Sequence, residues 1–288
     1  LETIVPRARR RRMKAAEVRH MVGDRIFQRY WPERLYNHDA EDRENMVVVG
    51  HDDHGHALEL NRRAVEADLL VYVNVNFVAM NGGYKSVAVG LCSYESLRPH
   101  HNPRTIRASD SYMDPKASQL ARDIAHMGKI AHRELDVFTI ETTVNNRMFD
   151  RNLDFLYKNE DELGGKEKLL LKALVHPTAR LPQPARQAIF DKFPAPYEVT
   201  GVFAGSAEAV HDKAIEKCFD QYLVPVEGQS DVLVCGIPYI SPYNVHAFLN
   251  PLLVQVLAQG YLFNMYRGAP LVKKGGTLIV THPCTDKF

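Results

Sequence analysis

No apolar run in the 288-residue chain approaches the ~20 residues needed to span a bilayer, so no transmembrane helix is expected. The arginine-rich first residues lack the apolar segment of a secretory leader. There is no excess charge of either sign. With 36 Lys and Arg against 35 Asp and Glu, the net charge of +1 argues against a globally basic nucleic-acid binder. Cysteine is sparse: Cys92, Cys218, Cys235 and Cys284 are scattered without Cys-x-x-Cys spacing, and they read as reduced, mostly buried thiols of a cytoplasmic protein. No Gly-x-Gly-x-x-Gly run follows an early strand, which argues against an ordinary dinucleotide-binding fold. No internal repeat or low-complexity segment is evident.

What is present is an ordinary globular composition, 45% hydrophobic and 25% charged, with length enough for one large or two ordinary domains. The most informative stretch is 71–102, with the strand that leads into it. Its branched apolar residues, Leu69 to Val75, read as a buried strand. The strand runs into Asn81-Gly82-Gly83, where paired glycines allow a sharp turn or a close approach to a ligand. Lys85 follows at once, and the stretch closes on His100-His101. Open α/β sheets place ligands at such strand ends. A Walker-type phosphate loop fits poorly, because Tyr84 and Ala79 stand where that motif needs glycine.

Gly82-Gly83-Tyr84-Lys85-Ser86 and Leu97-Arg98-Pro99-His100-His101-Asn102 resemble the core of the lactate racemase family, whose members use a nickel-pincer nucleotide. Tyr36-Asn37-His38-Asp39, the segment 60–68 and Lys274-Gly275-Gly276-Thr277-Leu278-Ile279 extend the resemblance to about residues 9–284, with the motifs in family order. The resemblance implies that Lys85 tethers the cofactor covalently beside Gly82 and Gly83. It also implies that His101, sixteen residues on, binds nickel in preference to His100. A longer protein is implied too, with a preceding portion that helps hold the cofactor phosphate. Two positions depart from the pattern. Alignment on Met13 puts Arg10 where the family has a catalytic histidine, and a second such histidine corresponds to Val75. Arginine stays protonated and valine cannot exchange a proton, so neither serves as an acid/base group.

The remaining candidates come from the residues themselves. Asn74 and Asn76 flank Val75 and admit two readings, substrate hydrogen bonding or strand-end turn formation. His38, His100 and His246 are the histidines that could replace the missing pair, and Arg10 could hold a carboxylate as a bidentate partner. Asn145, Asn146, Tyr243, Asn244 and His246 follow strands at places that commonly face a cleft. Metal binding by the 50–56 segment, rich in His and Asp, is outweighed by its simpler reading as a hairpin turn.

Along the chain, helices are expected at 14–31 (broken near Gly23), 57–67, 114–131, 160–174, 206–222 and 244–265. Strands are expected at 46–49, 69–75, 135–144, 197–204, 230–235 and 277–281. Asp114-Pro115 supplies a cap and a first-turn proline, and His126 and His132 are expected on the surface of the helix that follows. This alternation predicts an α/β protein of two domains, 1–180 and 181–288, with mainly parallel, doubly wound sheets. The resemblance implies racemisation or epimerisation of a 2-hydroxy acid by hydride transfer through the nickel-pincer nucleotide, and Arg10 and Val75 point to a substrate other than lactate. The expected partners are a small-molecule 2-hydroxy acid and cofactor-synthesis proteins, with no nucleic acid and no membrane. The alternative is a relative that holds the cofactor or nickel without turnover.

Overall fold

The computed structural model describes residues 2–5, 13–76, 78, 80–111, 114–145, 147, 149–190, 197–237, 251–261 and 264–282. Arg10, Asn146, Tyr243, Asn244 and His246 lie outside the described residues, as does Cys284.

The chain is a mixed α/β fold. Strand β1 (Thr3–Val5) pairs in parallel with β2 (Leu35–Asn37) across helices α1 (Ala15–Val22) and α2 (Asp24–Tyr30). Gly23 separates the two helices with φ 79°, a left-handed conformation that costs glycine little. Strands β3 (Met46–His51) and β4 (Ala57–Asn61) form an antiparallel hairpin whose turn is pinned by Asp52. The Asp52 carboxylate accepts the backbone N–H groups of His54 and His56, as expected of a turn.

Residues 57–67 are therefore not one helix, contrary to the periodicity reading. Leu58 and Leu60 are fully buried while Glu59 turns away to a two-pronged pair with Arg43, the period-2 pattern of a strand. Only α3 (Arg62–Val65) is helical there, capped by the Asn61 side chain, which accepts from Arg63 N–H.

Strand β5 (Leu70–Asn76) also departs from expectation. It is not buried on both faces: Val71, Val73 and Val75 are 46%, 65% and 42% exposed, while Tyr72, Asn74 and Asn76 point to the covered side. β5, β6 (Val137–Val144) and β7 (Val199–Gly205) form one sheet in that order.

Between β5 and β6 lie α4 (Tyr84–Leu91), α5 (Tyr94–Leu97), α6 (Pro103–Arg107) and α7 (Gln119–Glu134). Asp114 caps a single 3-10 turn, Pro115–Ala117, and Ser118 caps α7 itself, so the expected helix begins later than its Asp-Pro signal. The main core is the contact of α4 and α7 with β4: Leu58, Leu60, Val87, Leu91, Met127 and Ile130 are all buried. Gly128 makes this crossing possible. A Cβ there would meet the Tyr84 carbonyl and lie 2.7 Å from Lys85 N, so α7 touches the backbone of the first turn of α4.

Residues 1–141 and 203–288 form one compact unit and 142–202 another, so the expected boundary at residue 180 falls inside the smaller unit. The smaller unit contains α8 (Gly165–Arg180) and α9 (Gln183–Phe190). α8 starts five residues after the predicted position, because Glu167 accepts from Gly164 N–H and fixes its start. It also runs through Pro177 rather than stopping before it. After β7 come α10 (Ala207–Tyr222), β8 (Ser230–Gly236), α11 (Pro251–Val256) and β9 (Val272–Thr281), the last parallel to β8.

Candidate functional site

The covered face of β5 ends on Asn76, which is 1% exposed. Its side-chain amide donates to Glu141 Oε2 at 2.6 Å and its carbonyl oxygen accepts from the Asn74 amide. Glu141 lies on β6 and is completely buried between Thr139 and Thr143, which point the same way. Its other oxygen accepts the Gly83 backbone N–H at 2.6 Å, and His211 Nδ1 of α10 lies 3.1 Å from Oε2. One carboxylate thus ties together β5, the glycine turn, β6 and α10.

The glycines are required there by both conformation and space. Gly82 and Gly83 adopt φ 81° and 71°, where L side chains are strained. A Cβ on Gly82 would lie 2.5 Å from Glu141 Oε1, and one on Gly83 would lie 2.6 Å from His211 Cδ2 and 2.9 Å from its Nε2. Ser86 Oγ closes the turn by donating to the Gly82 carbonyl at 2.9 Å.

Lys85 stands in the first turn of α4, immediately after this loop. It retains part of its accessible surface, yet it is packed densely enough that desolvation lowers its pKa to about 8. The negative charge of Glu141 opposes the shift without reversing it. Among the described residues no hydrogen bond engages the Lys85 amine. Burial pushes the Glu141 pKa upward, but His211, the Gly83 N–H and Asn76 together outweigh it and hold the carboxyl below the usual range. The Tyr72 phenol and the Cys218 thiol beside this carboxylate are pushed up by burial first and by Glu141 second, the thiol to about 11. Cys218 Sγ donates to the Asn76 carbonyl, so it serves as a buried donor.

The other sequence candidates divide. Asn74, Asn76, Gly82, Gly83 and Lys85 come together at Glu141. His38 lies elsewhere, with Nε2 2.9 Å from the Cys92 carbonyl and Nδ1 3.1 Å from the Asn61 amide. It is 1% exposed and burial lowers its pKa, so it stands as a neutral cross-link with both nitrogens engaged. His100 is buried against the β3–β4 turn, Nε2 3.9 Å from Asp52, with its pKa lowered chiefly by desolvation. His101 is half-buried after α5, its Nδ1 3.3 Å from the Leu97 carbonyl. Among the described residues no three His, Cys, Asp or Glu side chains converge as a metal site. Asn145 pairs with Glu198. His132 is half-buried rather than on the surface, its ring edge-on to Tyr84 with centroids 4.9 Å apart. A cavity of about 310 Å³ beside Asn37, Asp42 and Arg63 shares no lining residue with the Glu141 constellation.

Sequence reasoning missed Glu141 as the hub and His211 altogether. Both had a signal. Glu141 sits in alternation with Thr139 and Thr143, and His211 falls on the same helical stripe as buried Ala207, Val210, Ala214 and Cys218.

Residues 1–114 match the family model described as lactate racemase N-terminal domain. The lactate racemase of Thermoanaerobacterium thermosaccharolyticum is 38% identical over 73 residues, 24% of this chain and 17% of that protein. The solved lactate racemase apoprotein of the same organism matches with TM-score 0.58 and 19% identity, over 96% of this chain and 51% of the other. A Thermotoga maritima protein matches at TM-score 0.52 and 14% identity, over 96% and 57%. These two structures show a shared fold, and the chain spans little more than half of either. Residues 1–114, with the glycine turn and Lys85, are thus similar to the lactate racemase N-terminal domain, and the fold around them is shared with the two solved structures.

Proposed function

We propose that the chain is part of a 2-hydroxy-acid racemase or epimerase that uses a nickel-pincer nucleotide, and that its substrate is not lactate. The observation that carries the reading is Lys85. An amine with pKa near 8 is unprotonated in roughly a tenth of molecules at pH 7, against well under a thousandth for an ordinary lysine. Covalent attachment needs that neutral amine, and the glycine turn brings the backbone of a bulky ligand close to it. The residues present fit the group in this respect. Lys85 would hold it covalently and His101 would bind its nickel, imidazole being a suitable donor. When bound, the cofactor supplies the hydride acceptor and donor.

The chain's own residues do the rest. The Gly83 N–H, held by Glu141, fixes the loop where the absence of a Cβ leaves room for the His211 ring. Arg10 is assigned to a substrate carboxylate, which it suits as a permanent bidentate cation. Asn74 and Asn76 keep the strand end polar, with Asn76 committed to Glu141. The protein is assigned to the cytoplasm, with cofactor-synthesis proteins as its loading partners.

A specific observation favours a second reading, a relative that holds the cofactor without turnover. Val75, at the position of a family histidine, points to the opposite face of β5 from Asn74 and Asn76. The test is to load the full-length protein by co-expression with the synthesis proteins, then follow racemisation of lactate beside larger 2-hydroxy acids, including sugar acids. Turnover of a larger acid well above lactate is expected. Lactate turnover equal to the best of the panel would overturn the substrate assignment, and a wholly inert panel would favour the non-catalytic reading.

A further inference from the structure

The two histidines missing from the family pattern leave the proposed reaction without a proton acceptor, and the glycine turn faces a histidine that no motif assigns. His211 Nδ1 lies 3.1 Å from Glu141 Oε2, and the carboxylate, buried and held ionised by its three neighbours, can only accept. Nδ1 therefore carries a proton, and Nε2 is the nitrogen left to exchange one. That second nitrogen belongs to the ring edge packed against Gly83, two residues before Lys85. Among the described residues no hydrogen bond engages Nε2, and the His211 side chain keeps 18% of its surface. A buried carboxylate orienting one imidazole nitrogen so that the other faces a ligand is the arrangement acid/base histidines need.

We propose that His211, oriented by Glu141, is the acid/base residue of this site. The inference rests on the hydride-transfer reading above. Nε2 takes the hydroxyl proton of a 2-hydroxy acid as the carbon-bound hydrogen leaves with its electron pair for the hydride acceptor, forming the keto acid. When hydride returns to either face of the carbonyl carbon, Nε2 gives the proton back to the oxygen. Glu141 is a positioning residue, since it fixes the tautomer and does not meet the substrate.

The bland role, a clamp holding α10 to the glycine turn, is separable from this one. Asn at position 211 keeps a donor close to the place of Nδ1 and has nothing at Nε2. His211→Asn should therefore fold as the wild type does and keep cofactor loading. Its kcat should nonetheless fall by ~10²–10⁴ with KM little changed, the usual loss of a positioned acid/base group. Two measurements need no turnover. Nitrogen-15 spectra of the histidine-labelled full-length protein should show His211 with a protonated Nδ1 and a bare Nε2, a state that Glu141→Gln should disrupt. Diethyl pyrocarbonate should modify His211 in the apoprotein, read by peptide mass, and should do so less once the cofactor is loaded. Full activity in His211→Asn, or a proton on Nε2 in the wild type, would overturn the inference. A protein inert on every hydroxy acid but with the expected tautomer and cofactor protection would overturn the proposed reaction and leave the Glu141–His211 assignment standing.

Discussion

Glu141→Gln is the change that most sharply tests the architecture of the site. The wild-type carboxylate accepts from Gly83 N–H, Asn76 Nδ2 and His211 Nδ1 while fully buried. Glutamine keeps one oxygen and replaces the other with an NH₂ group, which must then face a donor, either Gly83 N–H or the Asn76 amide. Hydrogen bonds to charged groups contribute ~1.5–3 kcal/mol each, and a buried donor left unpaired costs ~1–3 kcal/mol. Because His211 keeps some solvent, its share is discounted, and a destabilisation of ~2–4 kcal/mol at neutral pH is expected. Urea unfolding of both proteins, followed by Trp31 fluorescence and circular dichroism, measures it. The pH dependence has a definite sign. Glu141 is more acidic folded than unfolded, so its contribution is fully present above the ordinary carboxylate pKa and fades as pH falls through the depressed one. The gap between wild type and Glu141→Gln should narrow over that acid range. A difference below ~1 kcal/mol at pH 7 would refute the hub role, because an NH₂ group set against a buried donor cannot be accommodated so cheaply.

Other expectations are as direct. Gly128→Ala should destabilise by at least ~1–3 kcal/mol and weaken cofactor loading in the full-length protein, since the added methyl meets the backbone of Tyr84 and Lys85; wild-type loading and stability would show that the crossing can relax. Acylation of Lys85, read by peptide mass, should rise through about pH 8 while surface lysines respond at much higher pH, and a Lys85 profile indistinguishable from theirs would contradict its desolvation. The sign of the linked stability follows. Burial of the charged amine costs stability below about pH 8, and the cost disappears as pH rises from there toward the ordinary lysine value. His101→Ala should lose nickel from the loaded protein and His100→Ala should not, His100 being turned toward Asp52; equal nickel in His101→Ala and wild type would remove the ligand assignment.

Much of this site was legible in the chain because its parts are local. Gly82, Gly83 and Lys85 lie within four consecutive residues, and positive φ at paired glycines is what such a turn demands. The hairpin over 50–56 was equally readable, since Asp52 makes its turn through neighbours only. What escaped was long-range. Glu141 meets Gly83 across 58 positions and His211 across 70, and no local pattern encodes those meetings. The misread helix at 57–67 has the same origin. Its segment contains good helix formers, but Leu58 and Leu60 gain more by facing α4 and α7 from a strand than the local propensity offers. His38 looked like a candidate because it stands in a family motif, and only the fold revealed Cys92 and Asn61 at its two nitrogens.

The central claim is that Lys85 carries the cofactor, and intact mass with metal content tests it most directly. The full-length protein and its Lys85→Ala variant would be co-expressed with the cofactor-synthesis proteins, purified and measured side by side. The wild type should show a mass increment of one nickel-pincer nucleotide with stoichiometric nickel, and Lys85→Ala should show no increment. The same increment in both proteins, or none in the wild type, would contradict the account.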